Sequence, residues 1–158
     1  MRESIKTGVS FGITSGIITT LGLMVGLNVG TGIKLVVIGG ILTIAIADAF
    51  SDALGIHISE ESRHRNGQKV IWESTIATFF TKLLVSSSFI IPLIFFNLSL
   101  AIKINLIWGF LLLVVFNYFL AKMRNERPLR IIIEHLLITT IVIVITYFVG
   151  LFISTKFF

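Results

Sequence analysis

Apolar residues run along this chain in five long blocks, at about 8–29, 33–57, 76–96, 100–122 and 131–153, with the polar residues collected in the gaps between them. Each block is close to the ~20 residues that a helix needs to cross the hydrocarbon of a bilayer. The gaps run from Asn28 to Gly32, Ser59 to Ser74, Asn97 to Leu100 and Lys122 to Arg130. The pattern predicts an all-α integral membrane protein, a single domain of five transmembrane helices over residues 1–158. Only the loop at 59–75 is long enough to fold into anything: it is charged, carries Asn66-Gly67 as a turn signal, and places Trp72 where an interfacial anchor sits. The first block follows Met1-Arg2-Glu3-Ser4-Ile5-Lys6 and runs past signal-peptide length with no small-residue cleavage pattern, so it is expected to stay as a span.

Composition removes the soluble alternative. Of 158 residues, 55% are hydrophobic and 13% charged, against roughly 45–50% and about 25% in soluble domains. A mean hydropathy of +1.00 leaves far more apolar surface than one small core can hide. The absence of cysteine excludes disulfides, thiolate metal sites and cysteine nucleophiles. The net charge is +5, yet no basic run is interleaved with aromatics, so nucleic acid is not an expected partner and the basic residues read as topological markers. Arg2, Lys6, Arg63, Arg65, Lys69, Lys122, Arg124, Arg127 and Arg130 fall on one side of five crossings, whereas only Lys34, Lys103 and Lys156 fall on the other, with Lys82 inside the third span. The positive-inside bias then puts the N-terminus, the 59–75 loop and the fourth loop in the cytoplasm and the C-terminus outside it. A prokaryotic plasma membrane is the expected location, ahead of an organelle membrane.

Two regular features stand out within the spans. Gly8, Gly12 and Gly16, then Gly22, Gly26 and Gly30, recur at intervals of four, forming small-residue ridges that allow close helix approach in lipid. They predict intimate contact of the first span with the second, which carries Gly39-Gly40, or with its own copy in a homodimer built on the first two spans. Asp48 and Asp52 lie inside the second span, where a carboxylate costs roughly 2.5–3.5 kcal/mol on insertion scales. At a spacing of four they point the same way, with Ser51 close to that face. They can line a polar cavity that holds a divalent cation or a proton, or they can pair with Lys82 at a similar depth on the third span.

Beyond that span, His57, Glu60, Glu61 and His64 are spaced i, i+3, i+4, i+7 and share one face if the helix continues. Imidazole and carboxylate together suit first-row cations such as Fe²⁺ or Mn²⁺, so these four are a candidate cytoplasmic collecting site. A solvated helix end with Glu/Arg pairs is the plainer alternative. Asn117, Glu134 and His135 are weaker candidates for the same pathway.

The first span, from Phe11-Gly12-Ile13-Thr14-Ser15-Gly16 through Thr19-Thr20 to Gly26, and the second, Ala49-Phe50-Ser51-Asp52-Ala53-Leu54-Gly55-Ile56-His57-Ile58-Ser59, resemble the vacuolar iron transporter family. The former looks like its Gly-x-Asn-Asp-Gly pattern with Thr-Thr and a Gly-rich run, the latter like its Ala-x-Ser-Met-Ala-Ala-Gly-Glu-Tyr-x-Ser segment. Ile90-Ile91-Pro92-Leu93 and Tyr147-Phe148-Val149-Gly150 match short signatures of the third and fifth spans. The resemblance implies a homodimer that moves ferrous iron or manganese out of the cytoplasm in exchange for protons. The implied pathway is lined by the first two spans, with a cytoplasmic metal-binding region that here retains Glu60, Glu61 and Glu73. Ser15 stands where the family has its first-span aspartate and Asp52 where it has a methionine, so the site is all-oxygen and harder, which leaves the choice of ion open.

The expected function is a divalent-cation transporter and not an enzyme. It carries no cofactor but a transported Fe²⁺ or Mn²⁺, with Asp48 and Asp52 as ligands and Ser15, Thr19 and Ser51 as further oxygens. A phospholipid head-group transferase, suggested by Asp48-x-x-x-Asp52, lacks the companion Asp-Gly-x-x-Ala-Arg element. A non-transporting assembly subunit predicts aspartates buried against Lys82 with no cavity beside them.

Overall fold

The computed structural model describes residues 2–63, 67–123 and 125–157. They form six helices and no strand: α1 (Glu3–Thr31), α2 (Lys34–Glu61), α3 (Gln68–Ser88), α4 (Ile90–Phe95), α5 (Leu98–Met123) and α6 (Pro128–Phe157). With α3 and α4 taken as one broken rod over Gln68–Phe95, five helices are long and apolar enough to cross a membrane. Most helix ends extend past the apolar blocks, the exceptions being the start of α2 at Lys34 and the end of α4 at Phe95. The 59–75 loop in particular shrinks, because α2 continues to Glu61 and α3 already starts at Gln68.

Local chemistry sets the breaks. Gly32 ends α1 in the left-handed region at φ 63, its N–H bonded to the Asn28 carbonyl, a conformation that glycine adopts without a Cβ penalty. Pro92 has no N–H to give the Ser88 carbonyl one turn back, and the rod breaks at Phe89. Across the break, Asn105 Nδ2 donates to the Phe89 carbonyl at 2.8 Å and Trp108 Nε1 donates to Ser88 Oγ at 3.3 Å, both from α5. Asn97 Oδ1 caps α5 by accepting the Leu100 N–H, and Pro128 opens α6, where its missing donor costs nothing.

The first helix is the hub. It touches α2, α3, α5 and α6, and the core of Ile17, Leu21, Met24, Val37, Ile41 and Phe89 closes around it. It does meet α2, where Gly40 lies against Leu23 and Leu27, but its own glycine ridges face other helices. Gly8, Gly12 and Gly16 lie against α3, where a Cβ on Gly12 would come 2.9 Å from the Thr78 carbonyl oxygen, and Gly22, Gly26 and Gly30 lie against α6, at Val142, Thr146 and Gly150. The reason is a matching stripe on α3. Ser74, Thr78, Lys82 and Ser86, again at intervals of four, are all buried and face the first ridge. The outward surface is apolar, with Leu35, Phe50, Leu84, Phe95 and Ile107 more than half exposed, as a helix bundle presents to lipid.

Candidate functional site

Three helices bring four residues to the middle of the bundle, one each from α1 and α3 and two from α2. Asp48 and Asp52 sit one turn apart near the centre of α2, Ser15 near the centre of α1 and Lys82 near the centre of α3. Because Gly12 and Gly16 carry no side chain, the backbone of α3 comes close to α1 and the stem of Lys82 packs beside Gly16. The Lys82 side chain is completely enclosed. Its ammonium lies 2.5 Å from Asp48 Oδ2, pairs closely with Asp52 Oδ2, and donates to Ser15 Oγ at 2.8 Å. An ammonium has three protons to give, and here three oxygens receive it. Ser15 in turn donates its own proton to Asp52 Oδ2 at 2.6 Å, which leaves its lone pairs for Lys82. Asp48 Oδ2 makes no hydrogen bond beyond the ion pair.

Two carboxylates share one ammonium, so the group is one positive charge short of neutral in its ordinary charge state. It is also open on one side: the Asp48 and Asp52 side chains keep 25% and 19% of their exposure while Lys82 keeps none. A groove of about 660 Å³ runs between α1 and α2 to this edge, lined by Leu23, Leu27, Gly40, Thr43, Asp48 and Ser51. The sequence leaves open whether a cavity or Lys82 meets these two carboxylates. The structure has both.

The remaining residues divide. Ser51 lies on the groove with Asp48. Thr19 bonds its hydroxyl to the Ser15 carbonyl within α1. The collecting cluster does not assemble among the described residues: α2 stops at Glu61, and His64 lies outside them. His57 turns to α3, with Nδ1 3.1 Å from Thr75 Oγ1 and its ring edge against Trp72. Glu60 is buried and pairs with Arg63, and Glu61 is exposed. Glu73 holds the N-terminus instead, accepting from Ser4 at 2.7 Å and pairing with Arg2. Asn117 bonds back to the Leu113 carbonyl and His135 Nδ1 to the Ile131 carbonyl, each within its own helix, and Glu134 is exposed on α6. Among the described residues, no three His, Asp or Glu side chains gather as a metal cage.

Several residues that build the site went unmarked in the sequence. Thr43 lines the groove one turn above Ala47 and Asp48, and Ser74, Thr78 and Ser86 form the stripe that carries Lys82 inward. Their signal is the four-residue spacing of small polar residues across an otherwise apolar span. Compared with protein-family models, curated proteins and solved structures, the chain matches none.

Proposed function

We propose that this protein is a membrane carrier that exchanges a divalent cation, iron or manganese, against protons at the Asp48, Asp52 and Lys82 group. The observation that carries the reading is the placement of two carboxylates half-way along a spanning helix, sharing one enclosed ammonium and open on one edge to a groove. Ionisable groups at that depth are costly and belong to substrate pathways by default, and carriers place their sites near the bilayer midplane. Cargo and ammonium compete for the same oxygens. An arriving cation takes the Asp48 and Asp52 oxygens that Lys82 occupies, with Ser15 and Ser51 as further hard donors, and displaces the Lys82 proton; when the cation leaves, Lys82 takes up a proton and refills the site. An all-oxygen set of this kind suits manganese better than a thioether-containing one. The motif resemblance to the vacuolar iron transporter family points the same way.

The basic residues orient this carrier with its N-terminus and the 62–67 and 124–127 connections in the cytoplasm, so that cargo leaves the cytoplasm. A homodimer, if built on the first two spans, uses the outer face of α2, because both glycine ridges of α1 are occupied within the chain whereas a Cβ on Gly39 or Gly55 meets nothing within 4 Å.

The complete enclosure of Lys82 favours a second reading, in which the charged group is structural glue in a non-transporting assembly subunit. Electron paramagnetic resonance of Mn²⁺ titrated into the purified protein separates the two. Cation carriage predicts loss of the free-ion signal with wild type and its full return with Asp48→Asn plus Asp52→Asn. A wild-type sample that leaves the Mn²⁺ spectrum unchanged supports the structural reading instead.

A further inference from the structure

A second feature lies at the basic end of α3, away from the charged centre. Lys69, Trp72, Ile76 and Phe80 follow one another at i, i+3, i+7 and i+11, a single ridge on the helix surface. Lys69 is exposed, and Trp72, Ile76 and Phe80 are each at least half exposed. An apolar groove flanks the ridge on either side, and both grooves have Trp72 and Ile76 as their shared wall. One, of about 330 Å³, runs between α2 and α3 over Phe50, Leu54 and Phe79. The other, of about 410 Å³, runs beside α1 over Ile5 and Ala77 and reaches Lys69. His57 stiffens the common wall, its ring edge on Trp72 at 4.9 Å and its Nδ1 against Thr75.

The charges at the head of the ridge are unevenly committed. Arg2 is paired with Glu73, Lys6 with Glu3 and Arg63 with Glu60, whereas Lys69 has no ion-pair partner among the described residues. Glu73 is close by, but Arg2 and Ser4 already hold its two oxygens.

We propose that this ridge is a binding site for one anionic two-chain phospholipid of the surrounding leaflet, whose acyl chains lie in the two grooves and whose phosphate meets Lys69. The shape supplies the two chains, since the ridge separates two apolar troughs of similar size that begin at the same end. The charge supplies the sign, since a cation at the leaflet surface attracts anionic head groups and Lys69 has no contact ion pair among the described residues, Glu73 acting on it only at longer range. Trp72 sits between chain and head group, at the depth where indoles anchor. The site rests on the helices spanning a bilayer and is independent of cation exchange.

The test is native mass spectrometry of the full chain released from mixed micelles of dioleoyl phosphatidylglycerol and dioleoyl phosphatidylcholine. Wild type is expected to retain phosphatidylglycerol in preference, and to retain it over its one-chain lyso form. Lys69→Gln, a surface change, is expected to weaken phosphatidylglycerol retention by about fivefold, the factor to which about 1 kcal/mol per surface cation converts. Trp72→Leu is expected to weaken retention of both two-chain lipids. Equal retention of the two head groups by wild type, an unchanged Lys69→Gln, or lyso lipid held as well as the two-chain form overturns the proposal. Should Trp72→Leu fail to fold, Lys69→Gln and the lyso comparison still decide.

Discussion

Replacing Lys82 by methionine keeps the length of the side chain and removes its charge, and the surroundings of the ammonium set the cost. That ammonium is fully enclosed and holds three oxygens, Asp48 Oδ2, Asp52 Oδ2 and Ser15 Oγ. Without it, two carboxylates one turn apart on α2 face each other with only the Ser15 hydroxyl between them and α1. Breaking a buried ion pair from one side costs about 3–5 kcal/mol, because the stranded charge has lost its water and gained no partner. The aspartates here keep a quarter or less of their exposure and are thus not fully enclosed, so the lower end applies, about 3 kcal/mol. That is roughly a hundredfold in the unfolding constant. The assay is equilibrium unfolding by SDS in mixed micelles, followed by far-UV circular dichroism. The control is Lys82→Met with Asp48→Asn and Asp52→Asn, which removes all the charges together and is expected to return to within about 1 kcal/mol of wild type, since replacing a whole buried ion cluster is often close to neutral. Lys82→Met as stable as wild type, or a triple variant as unstable as the single one, would show that Lys82 acts through its packed stem and refute the electrostatic account.

Two further changes test the packing. Gly12→Ala places a Cβ 2.9 Å from the Thr78 carbonyl oxygen and forces α1 away from α3, with an expected loss of about 1–3 kcal/mol in the same unfolding assay, whereas Gly55→Ala meets nothing and gains up to about 1 kcal/mol of helix propensity. Asn105→Ala removes the donor that meets the Phe89 carbonyl at the break in the third span, and an expected cost of about 1–3 kcal/mol should appear as a lower melting temperature in detergent.

The parts of this fold that were legible in the sequence are those written in hydropathy. Five apolar blocks became five spanning-length helices, and the two carboxylates that stand out against the apolar second span became the centre of the site. Less legible were the relations between helices. The regular glycines of the first span announce close contact but do not say with what. Gly39-Gly40 drew attention to the second span, while the actual complement is the less conspicuous Ser74, Thr78, Lys82, Ser86 stripe, whose members are small or polar but not glycine. The break at Phe89 follows from Pro92 but is not expected from the hydropathy pattern, which runs unbroken over 76–96, and what steadies it, Asn105 and Trp108 on the next span, is a tertiary fact. The apparent face of His57, Glu60, Glu61 and His64 depended on the helix running on, and it ends at Glu61, with His57 drawn aside to Thr75 and Trp72. Helical spacing records which residues share a face, whereas the neighbour that meets the face is decided by packing.

The most direct test of the exchange site is flux in proteoliposomes that contain a pH indicator and a Mn²⁺-quenched dye. The account predicts that wild type moves Mn²⁺ across the bilayer with protons in the opposite direction, and that Lys82→Met with Asp48→Asn and Asp52→Asn, which strands no charge, abolishes both signals while the protein still folds and reconstitutes. Mn²⁺ movement that persists undiminished in that triple variant, or no movement in wild type under either sign of the pH gradient, would contradict it.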